Sequence, residues 1–113
     1  MENLLPYIVV QVAVENEEQA ARIAMAVVEK KLAACAQIFP IKSTYEWKNN
    51  IVQDSEWLIF MKTRKEVFDE LQAYVKELHS YEVPEILAIP VVAGSSSYLS
   101  WIDGCLLAGK PKR

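Results

Sequence analysis

The sequence predicts an α+β fold built on one antiparallel sheet. Its apolar segments follow the order strand, helix, strand, strand, helix, strand and a closing helix. Two consecutive strands are roughly twice the usual length and are joined by one tight turn. Prolines interrupt only the second and fourth strands, which suits strands at the edges of a sheet. Together these observations indicate the split βαβ, or ferredoxin-like, arrangement with an extra C-terminal helix.

Size and charge limit the class of protein. The chain has 113 residues, so we expect residues 1–113 to form a single domain. Its net charge of −3 and its pI near 5.2 argue against a general nucleic-acid binder. No apolar run approaches the ~20 residues of a membrane span, and the N-terminus lacks signal-peptide features. We therefore expect a soluble, cytoplasmic protein with no nucleic-acid or membrane partner.

The first strand and helix follow from apolar spacing and capping. Tyr7–Val14 is apolar on both faces apart from Gln11, which predicts a central strand. Asn16, with Gln19 three residues later, forms a capping-box pattern that opens the first helix. The predicted buried stripe of this helix consists of Ala20, Ile23, Ala24, Val27, Val28 and Leu32.

Residues 34–63 predict a long hairpin that turns at residues 48–50. In the first arm Ile41, Ser43, Tyr45 and Trp47 alternate with polar residues, and the second arm ends in the apolar run 57–61. Each arm has about a dozen residues, roughly twice the usual strand length. About four residues of each arm, or ~13 Å, should therefore extend beyond the first strand and overhang the helices.

The second half of the chain completes the pattern. Thr63-Arg64-Lys65-Glu66 is predicted to cap the second helix, which ends at His79-Ser80, before a proline. The fourth strand is predicted over residues 85–93, and the last helix over residues 98–107, with Gly109 as its stop. Right-handed crossovers then place strands one and three in the centre of the sheet. Pro40 and Pro90 fall in the edge strands, as this topology requires.

The hairpin overhang indicates contacts between subunits. It carries Tyr45, Trp47 and Ile51, and an exposed apolar ribbon is marginal in water. In one interpretation the last helix, through Trp101, folds back over the overhang. In the other, strand edges pair between subunits in a closed ring. We expect the second, a homotrimer whose interface includes Tyr45, Trp47, Ile51 and Trp101.

Five stretches of the chain carry a family resemblance. They are Leu32-Ala33-Ala34-Cys35, Tyr45-Glu46-Trp47, Lys62-Thr63-Arg64, the run from His79 to Ile86, and Tyr98-Leu99-Ser100-Trp101-Ile102. In this order and spacing the chain resembles the CutA family, the divalent-cation tolerance proteins. The resemblance implies a ferredoxin-like subunit, a stable trimer, and a shape similar to the PII signalling proteins. It also implies links to copper tolerance and metal binding.

The resemblance implies copper ligands that this chain largely lacks. In family members where copper binding is described, the ligands are a cysteine at the end of strand one and two adjacent histidines. Here strand one ends Val12-Ala13-Val14, and Leu78-His79 replaces the histidine pair. His79 is thus the remaining candidate ligand for copper or another divalent cation. Alternatively, its ring interacts with the dipole of the second helix.

A second candidate site is the loop between the second helix and the fourth strand. Tyr81, Glu82 and Glu85, together with Lys62, are candidates to line a cleft at a subunit boundary, where two carboxylates beside a tyrosine could bind a cation or a polar ligand. The alternative is that the two glutamates form ion pairs with Lys62 or Arg64 and fix the loop. The pattern contains no catalytic constellation, no Walker loop and no Gly-x-Gly-x-x-Gly.

Two functional hypotheses follow. The first is a non-enzymatic, CutA-like trimer involved in the response to divalent metal ions, copper among them. The second is a PII-like sensor that binds a small molecule or an anion in the clefts between subunits.

Overall fold

The computed structural model describes residues 5–106 as one sheet with three α-helices. The elements are β1 (Tyr7–Val14), α1 (Glu17–Glu29), β2 (Cys35–Trp47), β3 (Asn50–Arg64), a 3-10 turn (Lys65–Val67), α2 (Phe68–Leu78), β4 (Ile86–Pro90) and α3 (Ser96–Cys105). The strands are antiparallel, in the order β2-β3-β1-β4. The predicted arrangement, with β1 and β3 in the centre, is confirmed.

The prolines lie where the topology prediction requires them. Pro40 is in β2 opposite Trp57, and Pro90 ends β4 opposite Ile8. Both strands are at the edge of the sheet, where a missing backbone N–H breaks no ladder.

The two faces of the sheet have different coverings. On one face Val10, Val12, Ile59 and Met61 are fully buried in a core shared with apolar residues of α1 and α2. We call the opposite face the open face, because it carries exposed apolar side chains, namely Phe39, Tyr45, Trp47, Leu87 and Ile89. Helix α3 lies against the open face near the start of β1.

The hairpin extends beyond the rest of the sheet. β1 pairs with residues 57–64 of β3, whereas β2 pairs with residues 50–62. Residues 50–56 therefore have β2 as their partner strand, and the overhang exceeds the roughly four residues predicted. At its tip Lys48 and Asn49 have φ values of 51° and 71°. Positive φ at both central residues of a two-residue loop is typical of a type I′ turn.

The predicted capping box of α2 is wrong. Thr63 is fully buried in β3, and its hydroxyl donates a hydrogen bond of 2.8 Å to the Leu32 carbonyl. The chain then passes through the 3-10 turn, and α2 begins at Phe68 without a side-chain cap. The Thr63 hydroxyl is used in packing the loop after α1, so it cannot cap a helix.

Three other predictions need correction. β4 ends at Pro90 instead of residue 93, because its partner β1 begins at Tyr7. α3 begins at Ser96 instead of residue 98, because the Ser95 hydroxyl caps it. The predicted helix end at Leu107 and the predicted stop at Gly109 lie outside the described residues. Val28 is exposed, since the adjacent Val27 occupies the core-facing position.

The interpretation in which α3 covers the overhang is also wrong. Tyr7 donates a hydrogen bond of 2.8 Å to Asp103 of α3, and Arg64 also contacts Asp103. These contacts hold α3 at the opposite end of β3 from the hairpin tip.

Within the described range, the longest helix has 13 residues, and none meets the length and hydropathy needed to cross a membrane.

Candidate functional site

His79 follows α2, and both nitrogens of its ring have partners. Nε2 lies 2.7 Å from the Ala13 carbonyl, and Nδ1 accepts a hydrogen bond of 3.1 Å from the Tyr81 backbone N–H. Because Nδ1 accepts, Nε2 carries the proton and donates to Ala13. The ring therefore ties the loop to β1 from its position at the C-terminal end of α2.

The residues present do not fit the three-ligand copper site that the resemblance implies. Val12 is fully buried among apolar residues, and Leu78 packs against the core. Within residues 5–106, no group of three or more His, Cys, Asp or Glu side chains could hold a metal ion. A metal at His79 would have to replace one of the two hydrogen bonds of the ring.

Tyr81 contacts a carboxylate that the sequence did not single out. Its hydroxyl donates a hydrogen bond of 2.7 Å to Oε2 of Glu56, which is only 6% exposed. Burial and the neighbouring carboxylate raise the pKa of Tyr81 well above the ordinary value of a tyrosine. On its other side the Tyr81 ring is tilted against the His79 ring, with 4.9 Å between centroids. Tyr81 is thus held in position from two directions.

A half-open cavity of about 460 Å³ lies beside Tyr81. Its lining consists of Ala13, Tyr45, Trp47, Glu56, Ser80, Tyr81, Glu82, Val83 and Glu85. The structure thus brings three predicted cleft residues next to two predicted interface residues. The cavity is formed by the loop after α2 and by the first part of the hairpin overhang.

Tyr45, on the wall of this cavity, is also oriented by a carboxylate. Its hydroxyl donates a hydrogen bond of 2.5 Å to Asp54 on the neighbouring strand. This hydrogen bond, with smaller contributions from desolvation and charge, raises the pKa of Tyr45 to about 12. Asp54 and Glu56 were both missed from the sequence. The two residues are two positions apart on β3, opposite Ser43 and Ile41 of β2. This spacing places them on the same face of the hairpin as Tyr45 and Trp47, and it is the signal that could have found them.

Lys62 does not belong to this site. It pairs with Val9, near the start of β1, whereas the cavity is at the other end of the sheet. Its Nζ lies 3.4 Å from the Tyr98 hydroxyl and 5.4 Å from the centroid of that ring. The placement of Lys62 in the cleft is therefore wrong, because β3 runs antiparallel to β1 and carries Lys62 away from the loop.

The predicted ion pairs of the loop are absent from residues 5–106. Arg64 instead forms ion pairs of 2.6 Å with Glu66 and 2.5 Å with Asp103. Glu85 accepts a hydrogen bond of 2.6 Å from the Gln11 amide. The loop is fixed by His79, by Tyr81 and by the Ser80 hydroxyl, which donates a hydrogen bond of 2.6 Å to Glu15, and Glu82 and Glu85 are part of the cavity lining.

The other predicted interface residues lie apart from the cavity. Ile51 is 74% exposed on the face of the overhang opposite Tyr45. Trp101 is 47% exposed on α3, and its ring stacks on Tyr98 with 5.4 Å between centroids.

Comparison with known proteins gives consistent matches. The model of the CutA1 divalent ion tolerance protein family matches residues 8–105. The divalent-cation tolerance protein CutA of Thermus thermophilus is 45% identical over 95 residues, which cover 83% of this chain and 92% of that protein. The chloroplastic protein CutA of Arabidopsis thaliana is 43% identical over 99 residues, covering 87% of this chain and 54% of that protein.

A solved structure agrees with the fold. The crystal structure of CutA1 from Oryza sativa matches with a TM-score of 0.87 and 40% identity, covering 93% of this chain and 97% of that chain. The present chain spans about half the length of the curated plant relatives. The family model nevertheless covers all of the described residues except 5–7 and 106. The chain therefore belongs to the CutA1 divalent ion tolerance protein family.

Proposed function

We propose that the chain acts as a non-enzymatic homotrimer in the response to divalent metal ions, copper among them. The observation that carries the assembly is the open face of the sheet. It exposes Phe39, Leu87 and Ile89 on strands at both edges, and α3 covers one corner of it. An exposed apolar face next to two edge strands, which have no outer partner among the described residues, favours association with further copies of the chain.

A closed trimer accounts for the overhang better than a dimer. In a head-to-tail ring each overhang meets the edge of the next subunit, so no edge is left over. Sedimentation equilibrium tests this at micromolar concentration. We expect a mass three times the 12.8 kDa of the chain. A folded monomer or dimer would refute the trimer.

Direct copper binding within this role depends on His79. Calorimetric titration with copper(II) chloride tests it, with His79→Ala as the variant and Tyr74→Ala, within α2, as the control. Stoichiometric binding that His79→Ala abolishes and Tyr74→Ala retains would support His79 as a ligand. Absence of binding to the native chain would contradict a copper-ligating role for His79.

A second candidate function is a small-molecule sensor with ligand sites between subunits. Its support is the cavity, whose lining joins Tyr81 and Glu82 to Tyr45 and Trp47 of the predicted interface. A thermal-shift screen of metals, nucleotides and small organic ions tests it, since a ligand of the native state raises the melting temperature by mass action. A rise with a metal alone would favour the first function, and a rise with an organic ion would favour the second.

We also propose a cytoplasmic location for this chain. The proposal rests on the composition of the chain, and the named relatives differ from it: the Arabidopsis relative is named as chloroplastic and the Archaeoglobus fulgidus structure as periplasmic. Fractionation of the source cells, with immunoblotting of the native protein, tests the location.

A further inference from the structure

We infer that the cavity beside Tyr81 binds a small organic ammonium ion; this rests on the proposed sensor function and gives it a ligand class. Three glutamates line the cavity, Glu56, Glu82 and Glu85, and Oε2 of Glu85 accepts a hydrogen bond from the Gln11 amide. Among the residues that the structure describes, no lysine, arginine or histidine is part of the lining. Of the ligand classes that the sequence suggests for this region, the charge of this surface favours a cation over an anion.

Glu56 gives the strongest reason to expect a cation. It is 94% shielded from solvent, and Oε2 accepts the hydrogen bond from Tyr81. Its other oxygen, Oε1, has no hydrogen-bond partner in residues 5–106. This oxygen is accessible to solvent. The two ion pairs of this part of the chain involve Arg64 and do not reach Glu56. Because Oε1 reaches solvent and accepts no hydrogen bond from the described residues, a cation in the cavity can form a charge-assisted contact with it.

The aromatic walls favour an organic cation over a metal ion. Tyr45, Trp47 and Tyr81 all line the cavity, and an ammonium ion is attracted to the face of such rings. The Nζ of Lys48 lies 5.7 Å from the centroid of the Trp47 ring, so this ring contacts an ammonium group within the chain itself. A hard divalent ion instead needs a close set of oxygen ligands, which the described residues do not form. The volume of about 460 Å³ suits a small molecule.

The walls are in place before any ligand arrives. Tyr81 is fixed between Glu56 and the His79 ring, and Tyr45 is fixed by Asp54. A ligand therefore orders few side chains when it binds, which lowers the entropic cost of binding.

Three probes that share one carbon ring and differ in charge test the inference. They are cyclohexylammonium, cyclohexanol and cyclohexanecarboxylate, each titrated calorimetrically into the native assembly at neutral pH. We expect cyclohexylammonium to bind with a Kd of about 1 mM or tighter, and cyclohexanol about tenfold more weakly or worse. Equal binding of all three, tightest binding of the carboxylate, or no binding of the ammonium ion would overturn the inference. Displacement of cyclohexylammonium by equimolar zinc chloride would overturn it too, in favour of a metal site.

Variants locate the binding to the cavity. Glu56→Gln keeps the shape of the side chain and removes its charge, so the ammonium ion should bind about tenfold more weakly or worse. Glu46→Gln makes the same change on the other face of the hairpin and should leave binding unchanged. Because Glu56 is buried, exposed Glu85→Gln provides a second variant that spares the core, and it should weaken binding severalfold. If neither Glu56→Gln nor Glu85→Gln weakens binding, the site lies elsewhere and the inference fails.

Sedimentation of the same samples separates this inference from the proposed function. A trimer that does not bind cyclohexylammonium overturns the ligand class and leaves the assembly intact. A monomer overturns the proposed trimer whatever it binds. A trimer that binds the carboxylate overturns the ligand class but supports a sensor.

Discussion

At the scale of single residues, Tyr45 allows a direct measurement of the charge beside the cavity. Its hydroxyl donates to Asp54, and the pKa of Tyr45 is about 12. The phenolate would face a carboxylate, so the protonated phenol is favoured. We expect Asp54→Asn to lower the pKa of Tyr45 towards its ordinary value of about 10. The change in phenolate absorbance with pH, compared between native and variant protein, measures this shift.

A matched control is Asp69→Asn, which removes an exposed carboxylate from α2. Its alkaline titration should coincide with that of the native protein. The sign of the stability effect follows from the raised pKa. The hydrogen bond contributes fully below about pH 10, and the contribution is lost as the pH rises through about 12. Identical titrations of Asp54→Asn and native protein would contradict the assigned hydrogen bond.

The hydroxyl of Thr63 forms a buried hydrogen bond within the core and does not cap a helix. In the structure its hydroxyl satisfies the Leu32 carbonyl from inside β3. Thr63→Val keeps the volume but removes this donor, so we expect the free energy of unfolding to fall by about 1–3 kcal/mol. Urea denaturation at one fixed protein concentration measures the loss. Asn16→Ala, at a true helix cap, should cost about 1 kcal/mol and serves as the reference. A neutral Thr63→Val would argue against the buried bond.

At the scale of elements, the sequence predicts best where one periodicity is uninterrupted. The predicted bounds of β1, Tyr7 and Val14, agree with the structure at both ends. Its apolar run is bounded by Pro6 and by the polar start of α1. The hairpin was recognised from its alternation. The end of β4 could not be predicted locally, because the limit is set by where β1 begins.

The candidate site was only partly predictable, for a related reason. Tyr81, Glu82 and Glu85 were found because they are adjacent in sequence. Glu56 was missed because its burial depends on contact with Tyr81, which is 25 residues away. Lys62 was misplaced although the register of antiparallel strands would have excluded it. Short-range patterns therefore identified one wall of the cavity, and the opposite wall required the packed structure.

The two-residue turn of the hairpin can be tested by substitution. Lys48 and Asn49 both have positive φ, which is unfavourable for lysine. Lys48→Asn combined with Asn49→Gly gives the Asn-Gly pair preferred in type I′ turns, and we expect a gain of about 0.5–1 kcal/mol. The midpoint of urea denaturation, at constant protein concentration, measures it.

The opposite substitution is the control for the turn. Lys48→Val places a β-branched residue at a φ of 51° and should destabilise the protein by about 1–2 kcal/mol. If Lys48→Val is neutral, the positive φ does not describe the native turn.

At the scale of the whole molecule, one chain leaves its sheet incomplete. Within residues 5–106, α1 and α2 bury one face, α3 covers one corner of the open face, and no further strand pairs with the outer edges of β2 and β4. The cavity opens beside this same overhang, so a neighbouring subunit would supply its remaining wall under the proposed trimer. Assembly and ligand binding are then linked, because both depend on the position of the end of β2 that carries Tyr45.

The open face can be tested by adding charge to β4. Leu87 and Ile89 are exposed in one chain and share the face opposite the α1 and α2 core. In a trimer built on this face, Leu87→Lys combined with Ile89→Lys would bury unpaired charges and cost several kcal/mol, so we expect monomers in sedimentation equilibrium. Val92→Lys introduces the same residue at a position that is 79% exposed beyond the end of β4, and it should remain trimeric. A double variant that still sediments as a trimer would show that the subunits meet elsewhere.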